Sequence, residues 1–298
     1  MTNSKIGKGD GKGAGEAEMP PGLPKGLHIV ATPIGNLRDI TLRALDVLGG
    51  CDRLLAEDTR RTGQLLKAYG LEARMVSYHD HNADARVPQV LDWLTAGEAI
   101  ALVSDAGTPL VSDPGFKLVR AAREAGHPVH AVPGASALTA ALSVAGLPTD
   151  QFHFAGFLPA KRGARRSALE ALREVPGTLV LYETGPRLAD MLSDCAEVLG
   201  EREARVAREL TKTFEEVRSG TLSALVPEVT PKGEIVVLIA PGEAAEWTEA
   251  EVDAALSSRA HLSVKDASRE VAKLSGLPKR ELYARAQELR DGGDARGG

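Results

Sequence analysis

The chain has 298 residues, long enough for two domains with cores of their own. Its 43% hydrophobic and 26% charged content is that of a soluble globular protein, and 4% aromatic residues argue against a base-stacking sheet of the RRM kind. A net charge of -5 confines any nucleic-acid contact to a local patch. Only Cys51 and Cys195 occur, in no ligand spacing, which speaks against a disulfide scaffold or a metal site. No run reaches the roughly 18 apolar residues of a membrane span. Residues 1–26 are rich in Gly, Lys and Pro without the apolar centre of a signal peptide, so a flexible tail and a cytoplasmic location are expected.

From residue 27 short apolar runs alternate with amphipathic ones. Strands are predicted at 27–31, 53–57, 73–77, 99–104 and 128–132, with helices at 40–48, 64–69, 87–94 and 116–124. This rhythm reads as a parallel sheet covered on both faces. The residues after each strand are the unusual ones: TPIGN (32–36), EDTRRT (57–62), YHDHN (78–82), SDAGTPLVSDPG (104–115) and PGAS (133–136). In an open parallel sheet these loops share the carboxyl edge, where ligands of such folds bind. The 104–115 loop is small, Gly-rich and acidic, which lets backbone groups and carboxylates approach a ligand. It contains neither Gly-Lys-Ser/Thr nor GxGxxG, and so points to a small polar ligand rather than a phosphate cradled beside a lysine. A plain tight connection is the competing reading.

A second unit starts near Asp150, with strands at 152–156, 177–183, 204–209 and 234–240, helices at 164–174 and 187–199, and a hairpin around Arg218 to Gly220. That spacing suggests a mixed α/β domain. A linker at 241–247 leads to an all-helical remainder with a helix–turn–helix feel, in which Ser263 takes an N-cap, Gly276 a helix stop and Pro278 a first turn. The divisions expected are a tail at 1–26, an N-terminal α/β domain at 27–148, a second α/β domain at 149–242 and a helical domain at 243–298.

Taken together, ATPIGNLRDIT (31–41), AEDTRRT (56–62), YHDHN (78–82), SDAGTPLVSDPG (104–115), VPGAS (132–136), GFLPAK (156–161) and RELTKTFEE (208–216) resemble the tetrapyrrole-methylase superfamily of S-adenosylmethionine-dependent methyltransferases. Within it they are most similar to the branch that methylates a cytidine ribose 2′-oxygen of 16S rRNA. The resemblance covers roughly residues 27 to 290. It implies a parallel-sheet domain and a mixed-sheet domain with S-adenosylmethionine in the cleft between them. It also implies a homodimer acting on 16S rRNA within the 30S subunit; from the cysteine spacing and the lack of an apolar span, neither a metal nor a membrane partner is expected. Carried over by position, Pro33, Asp105, Gly107, Thr108, Pro109, Ser112, Asp113, Gly134, Ala135 and Ser136 would line the cofactor. One departure is YETGPRL (182–188), where Ser-Pro-His is expected before the arginine; Glu183 and Arg187 are kept.

Methyl transfer to a hydroxyl is an in-line displacement governed by alignment, with a base to take the hydroxyl proton. Asp58, His79, Asp80 and His81 are the candidates, each equally readable as a cap or an orienting group, and none is singled out. Arg60 and Arg61 suit phosphate, as does the densest basic segment, KRGARR, with Lys161, Arg162, Arg165 and Arg166. Lys265, Arg269 and Lys273 form a basic helical stripe that Asp266 and Glu270 adjoin. Two rival functions stand beside this one: C-methylation of a precorrin-type tetrapyrrole, and non-catalytic binding to the ribosome.

Overall fold

The computed structural model describes residues 22–228, 232–242 and 247–294. The expected tail at 1–26 therefore falls mostly outside the described residues, as does the middle of the expected linker. The described chain divides into two compact units, one running to Ala140 and including Glu209–Glu215, the other comprising Ala141–Arg208 and the residues from Glu216 onward.

The first unit is a five-stranded sheet of β1 (Gly26–Val30), β2 (Arg53–Ala56), β3 (Met75–Ser77), β4 (Ala99–Val103) and β5 (Val129–Val132) in the order β3-β2-β4-β1-β5. Every pairing is parallel. Because side chains alternate along a strand, each central strand supplies two cores. Leu54, Ala101 and Val103 join Val47 and Leu48 of α1 (Leu42–Gly50) and Leu65 and Leu66 of α2 (Thr59–Ala68). Leu55, Ile100 and Leu102 join Val90 of α3 (Ala83–Thr95) and Leu118 of α4 (Phe116–Glu124) on the other face. Each leucine fully buried this way contributes roughly 1.5–3 kcal/mol. Two helices begin earlier than the pattern predicts. Capped by Asp58, α2 starts at Thr59, five residues ahead of the expected start, and α3 runs through Pro88.

After α5 (Ala137–Ala145), the second unit holds a sheet of β6 (Phe152–Phe157), β7 (Thr178–Thr184), β8 (Glu203–Arg208), β9 (Glu216–Thr221) and β10 (Glu234–Ile239), ordered β6-β7-β10-β8-β9. Only β6 and β7 pair in parallel, so the sheet is mixed, as the spacing predicts. Leu179 and Leu181 of β7, with Val237 and Ile239 of β10, cluster with Leu188, Met191 and Leu192 of α7 (Gly185–Leu199) and Leu169 of α6 (Arg162–Leu172). The hairpin expected around Arg218 to Gly220 is corrected. Those residues lie within β9, paired with β8, and the turn is Glu209–Glu215. Ser219 and Gly220 read as turn formers, but cross-strand pairing overrides that propensity.

Beyond β9 come α8 (Leu222–Leu225) and three C-terminal helices: α9 (Glu249–Ser257), α10 (Val264–Ser275) and α11 (Lys279–Asp294). Ser263 caps α10, and Gly276 ends it in the left-handed region. The pattern of apolar residues does not single out α9, but its capping box does. Thr248 and Glu251 bond reciprocally at its start, the spacing that announces a helix N-terminus.

Candidate functional site

The carboxyl ends of the neighbouring inner strands β1 and β4 are tied together. The Thr32 N–H donates to Gly107 O at 2.8 Å, and the Gly107 N–H donates back to Thr32 O at 3.0 Å. Gly107 has φ +80°, a conformation other residues resist, and a Cβ there would meet Ile34 Cγ2 at 3.4 Å. Close ligand approach, the reason for a glycine here expected from the sequence, is joined by a conformational one, its backbone angle. Leu110 and Ser112 also take positive φ without being glycine, so the 104–115 loop stores strain, on the order of 1–3 kcal/mol per residue. Thr108 Oγ1 donates to Ala135 O at 3.1 Å, bracing this loop against PGAS, where Gly134 and Ser136 flank Ala135. Pro109 is buried at the base of the same loop.

Three carboxylates line this edge. Asp105 Oδ1 accepts the Asp58 N–H at 3.0 Å, and its Oδ2 faces Arg61 Nη1 at 3.3 Å. Glu57, at the end of β2, is raised above the ordinary carboxylate range by burial and then by the Asp105 charge. Asp113 is pushed up to about 6 by burial and by Glu57. Glu57 is the residue that sequence reasoning missed. Its signal was its place directly after β2 in EDTRRT, the same place that singles out its neighbours. Clustered carboxylates that resist ionisation suit a cationic ligand or a ligand donating hydrogen bonds. Next to them lies a pocket of about 240 Å³ lined by Pro33, Gly35, Leu37, Arg61, Gln64 and Asp105 among others. That is just under the ~300–1,000 Å³ of sites that enclose a whole ligand.

The four candidate bases have different surroundings. Asp58 accepts the Arg60 N–H at 2.8 Å and ion-pairs with its guanidinium, and these bonds hold its carboxyl down at about 2. His79 is half-buried, with Asn82 Nδ2 3.3 Å from its Nε2 and its Nδ1 buried with no hydrogen-bond partner among the described residues. Asp80 and His81 are exposed on the turn that follows.

In the second unit the basic segment meets acids on α7. Arg165 is 4% exposed, and its Nε donates to Asp194 Oδ2 at 2.7 Å. Burial alone would raise the Asp194 carboxyl, but hydrogen bonds from Arg162 and Arg165 outweigh it and hold it low. Arg162 reaches both Asp194 and Glu197, and Arg166 also bonds Glu197. The expected phosphate contact of Arg165 is thus corrected, because its guanidinium is sealed against a buried partner. Lys161, Arg162 and Arg166 keep exposed or half-exposed side chains. At the YETGPRL departure Glu183 is 1% exposed, and Arg187 Nη2 lies 3.2 Å from its Oε2 while donating to Leu158 O at 2.6 Å.

The model of the tetrapyrrole (corrin/porphyrin) methylases matches residues 26–226. The chain belongs to that family. A second model, the RsmI C-terminal HTH domain, matches residues 247–290 of this family member. The ribosomal RNA small subunit methyltransferase I of Mesorhizobium japonicum is 49% identical over 95% of this chain and 99% of its own. Among solved structures, a diphthine synthase is similar with a TM-score of 0.58 at 16% identity, covering 72% of this chain and 89% of its own. A uroporphyrin-III C-methyltransferase from Thermus thermophilus, complexed with S-adenyl homocysteine, gives a TM-score of 0.50 at 22% identity over 71% of this chain and 96% of its own. These two likenesses show the fold: a parallel sheet, a mixed sheet and, here, helices after them.

Proposed function

We propose that the chain is an S-adenosylmethionine-dependent methyltransferase acting on the ribose 2′-oxygen of a cytidine in 16S rRNA. The observation that carries this is the 49% identity along 95% of the chain to a ribosomal RNA small subunit methyltransferase I, with the separate match at 247–290. The C-terminal match favours it over a tetrapyrrole substrate, since the tetrapyrrole-methylase model ends at residue 226.

The residues at the carboxyl edge fit the cofactor. Glu57, Asp105 and Asp113 form an acidic lining suited to a sulfonium and to ribose hydroxyls, without the lysine and glycine nest that a phosphate needs. Pro33, Asp105, Gly107, Thr108, Pro109, Ser112, Asp113, Gly134, Ala135 and Ser136 would hold it, several of them through backbone groups. When bound, it supplies an electrophilic methyl group. The chain's own work is alignment, worth up to ~7–11 kcal/mol in favourable cases, and acceptance of the hydroxyl proton. Asp58 is committed to Arg60 and is a weak base, which leaves His79, Asp80 and His81 on the YHDHN turn. Arg60, Arg61, Lys161, Arg162 and Arg166 are assigned to phosphates. We further assign the work to the 30S subunit, the cytoplasm and a homodimer, with 27–148, 149–242 and 243–298 as the domains. Among the described residues no helix is long and apolar enough to cross a membrane. Exposed Leu42 and Phe116 offer apolar surface for a second copy.

The test is transfer from labelled S-adenosylmethionine. Unmethylated 30S subunits should be labelled on a cytidine ribose and a precorrin left unlabelled. Labelled precorrin with unlabelled 30S subunits would reverse the assignment, and binding to 30S subunits without turnover would make the chain a ribosome-binding module.

A further inference from the structure

Phe214 is 72% exposed, on a turn that is otherwise tightly held. Glu209–Glu215 belongs to the first unit, with the pocket at 32–37. Thr211 Oγ1 accepts the Asn36 N–H at 3.1 Å, and any Cβ on Gly35 would collide with the Lys212 side chain. Gly35 therefore has to be glycine for the turn to seat on the pocket's edge. Within the turn, the Thr211 N–H donates to Glu215 Oε2 at 2.5 Å, the Lys212 N–H to Glu209 O at 3.0 Å and the Glu215 N–H to Lys212 O at 3.1 Å. Glu209 and Thr211 both hold positive φ without being glycine. A turn this constrained fixes where Phe214 stands, two residues beyond the lysine that covers Gly35.

A large aromatic held out in water on a rigid support is prepared for a flat partner. Exposed guanidiniums stand on the loops around the pocket, those of Arg60 and Arg61 each also meeting an aspartate, Asp58 and Asp105. Arg38 is exposed beside the lining residue Leu37, and the Arg60 and Arg61 side chains are 88% and 62% exposed at the start of α2. An exposed aromatic on a turn bonded to the Asn36 loop, with guanidiniums on that loop and at the start of α2, is complementary to an unpaired nucleotide, whose base stacks while its phosphates meet arginine. We propose that Phe214 stacks on an unpaired base of the RNA substrate and holds that nucleotide at the mouth of the Pro33–Arg61 pocket. The inference rests on the RNA reading above and names the contact that would present the substrate.

The experiment uses the full chain, 30S subunits and labelled S-adenosylmethionine, with Phe214→Ala and Phe214→Trp. Loss of one stacked base should lower kcat/KM for 30S subunits about 5- to 150-fold, mainly through KM. Phe214→Trp should restore most of it, while cofactor affinity by calorimetry and the melting temperature stay unchanged in both. An alanine variant as active as the unmodified chain overturns the proposal. So does a tryptophan variant as impaired as alanine, or a change of oligomeric state by light scattering, which would assign Phe214 to a second copy. If the unmodified chain labels no 30S subunits, the RNA reading itself fails and this contact falls with it.

Discussion

Asp113 shows how one half-buried carboxylate ties stability to function. Its carboxyl titrates at about 6 in the fold against 3.8 in an ordinary setting, because burial and Glu57 disfavour the charge. The folded chain therefore binds the proton more tightly than the unfolded one. The stabilising contribution is complete below pH 3.8 and is lost as the pH rises through about 6. Asp113→Asn should remove that decline and raise stability at neutral pH by about 1–2 kcal/mol, allowing for solvent reaching the carboxylate. Urea unfolding at pH 4.5 and 7.5 measures it, and a pH dependence as steep as that of the unmodified chain would refute it. Calorimetry on the same variant should show weaker S-adenosylmethionine binding. A residue kept in the fold against stability is what a binding site looks like.

Between elements, the clasp of α6 on α7 explains why a basic run in the sequence is not all surface. Arg165 lies on the face of α6 that turns toward Asp194, with Leu169 one helical turn on, and both are buried. Removing Arg165 leaves the buried Asp194 charge with Arg162 as its remaining close partner. Arg165→Ala should cost about 3 kcal/mol, near the low end for a broken buried ion pair, because Arg162 still bonds one carboxylate oxygen. Lys161→Ala, at an exposed position, should change stability by less than about 0.5 kcal/mol. Chemical denaturation of the two variants compares them directly; equal effects would mean that the cluster acts as one solvated patch.

For the whole molecule, the C-terminal helices have a core of their own. Val252, Leu256, Val271, Leu282 and Ala286 cluster apart from the residues that fill the second sheet's core. Ending the chain after Gly242 should therefore leave a folded protein with unchanged cofactor affinity. Methylation of 30S subunits should fall through substrate affinity rather than through turnover at saturation. Circular dichroism, calorimetry and steady-state kinetics on the truncated chain test each part. Aggregation would show instead that these helices cover apolar surface of the sheet domains.

Much of this was legible in the residues alone. Short apolar runs placed every strand but β9, because a strand buried on both faces, such as β4, reads as a continuous apolar run and a half-covered one as an alternating run. Strand-end composition singled out the 104–115 loop, and Ser263 and Gly276 marked the bounds of α10 through local capping chemistry. What the residues could not show depends on partners distant in the chain. Gly107 needs its positive φ because Thr32, 75 positions earlier, closes a bridge with it. Arg165 is buried because Asp194 comes to it from another helix, and Glu57 resists ionisation because the fold buries it and brings Asp105 beside it. The Arg218–Gly220 segment became strand rather than turn through pairing with β8. Periodicity, capping and loop chemistry are short-range and can be read along the chain, whereas burial, ionisation and pairing belong to neighbours that only the folded chain brings together.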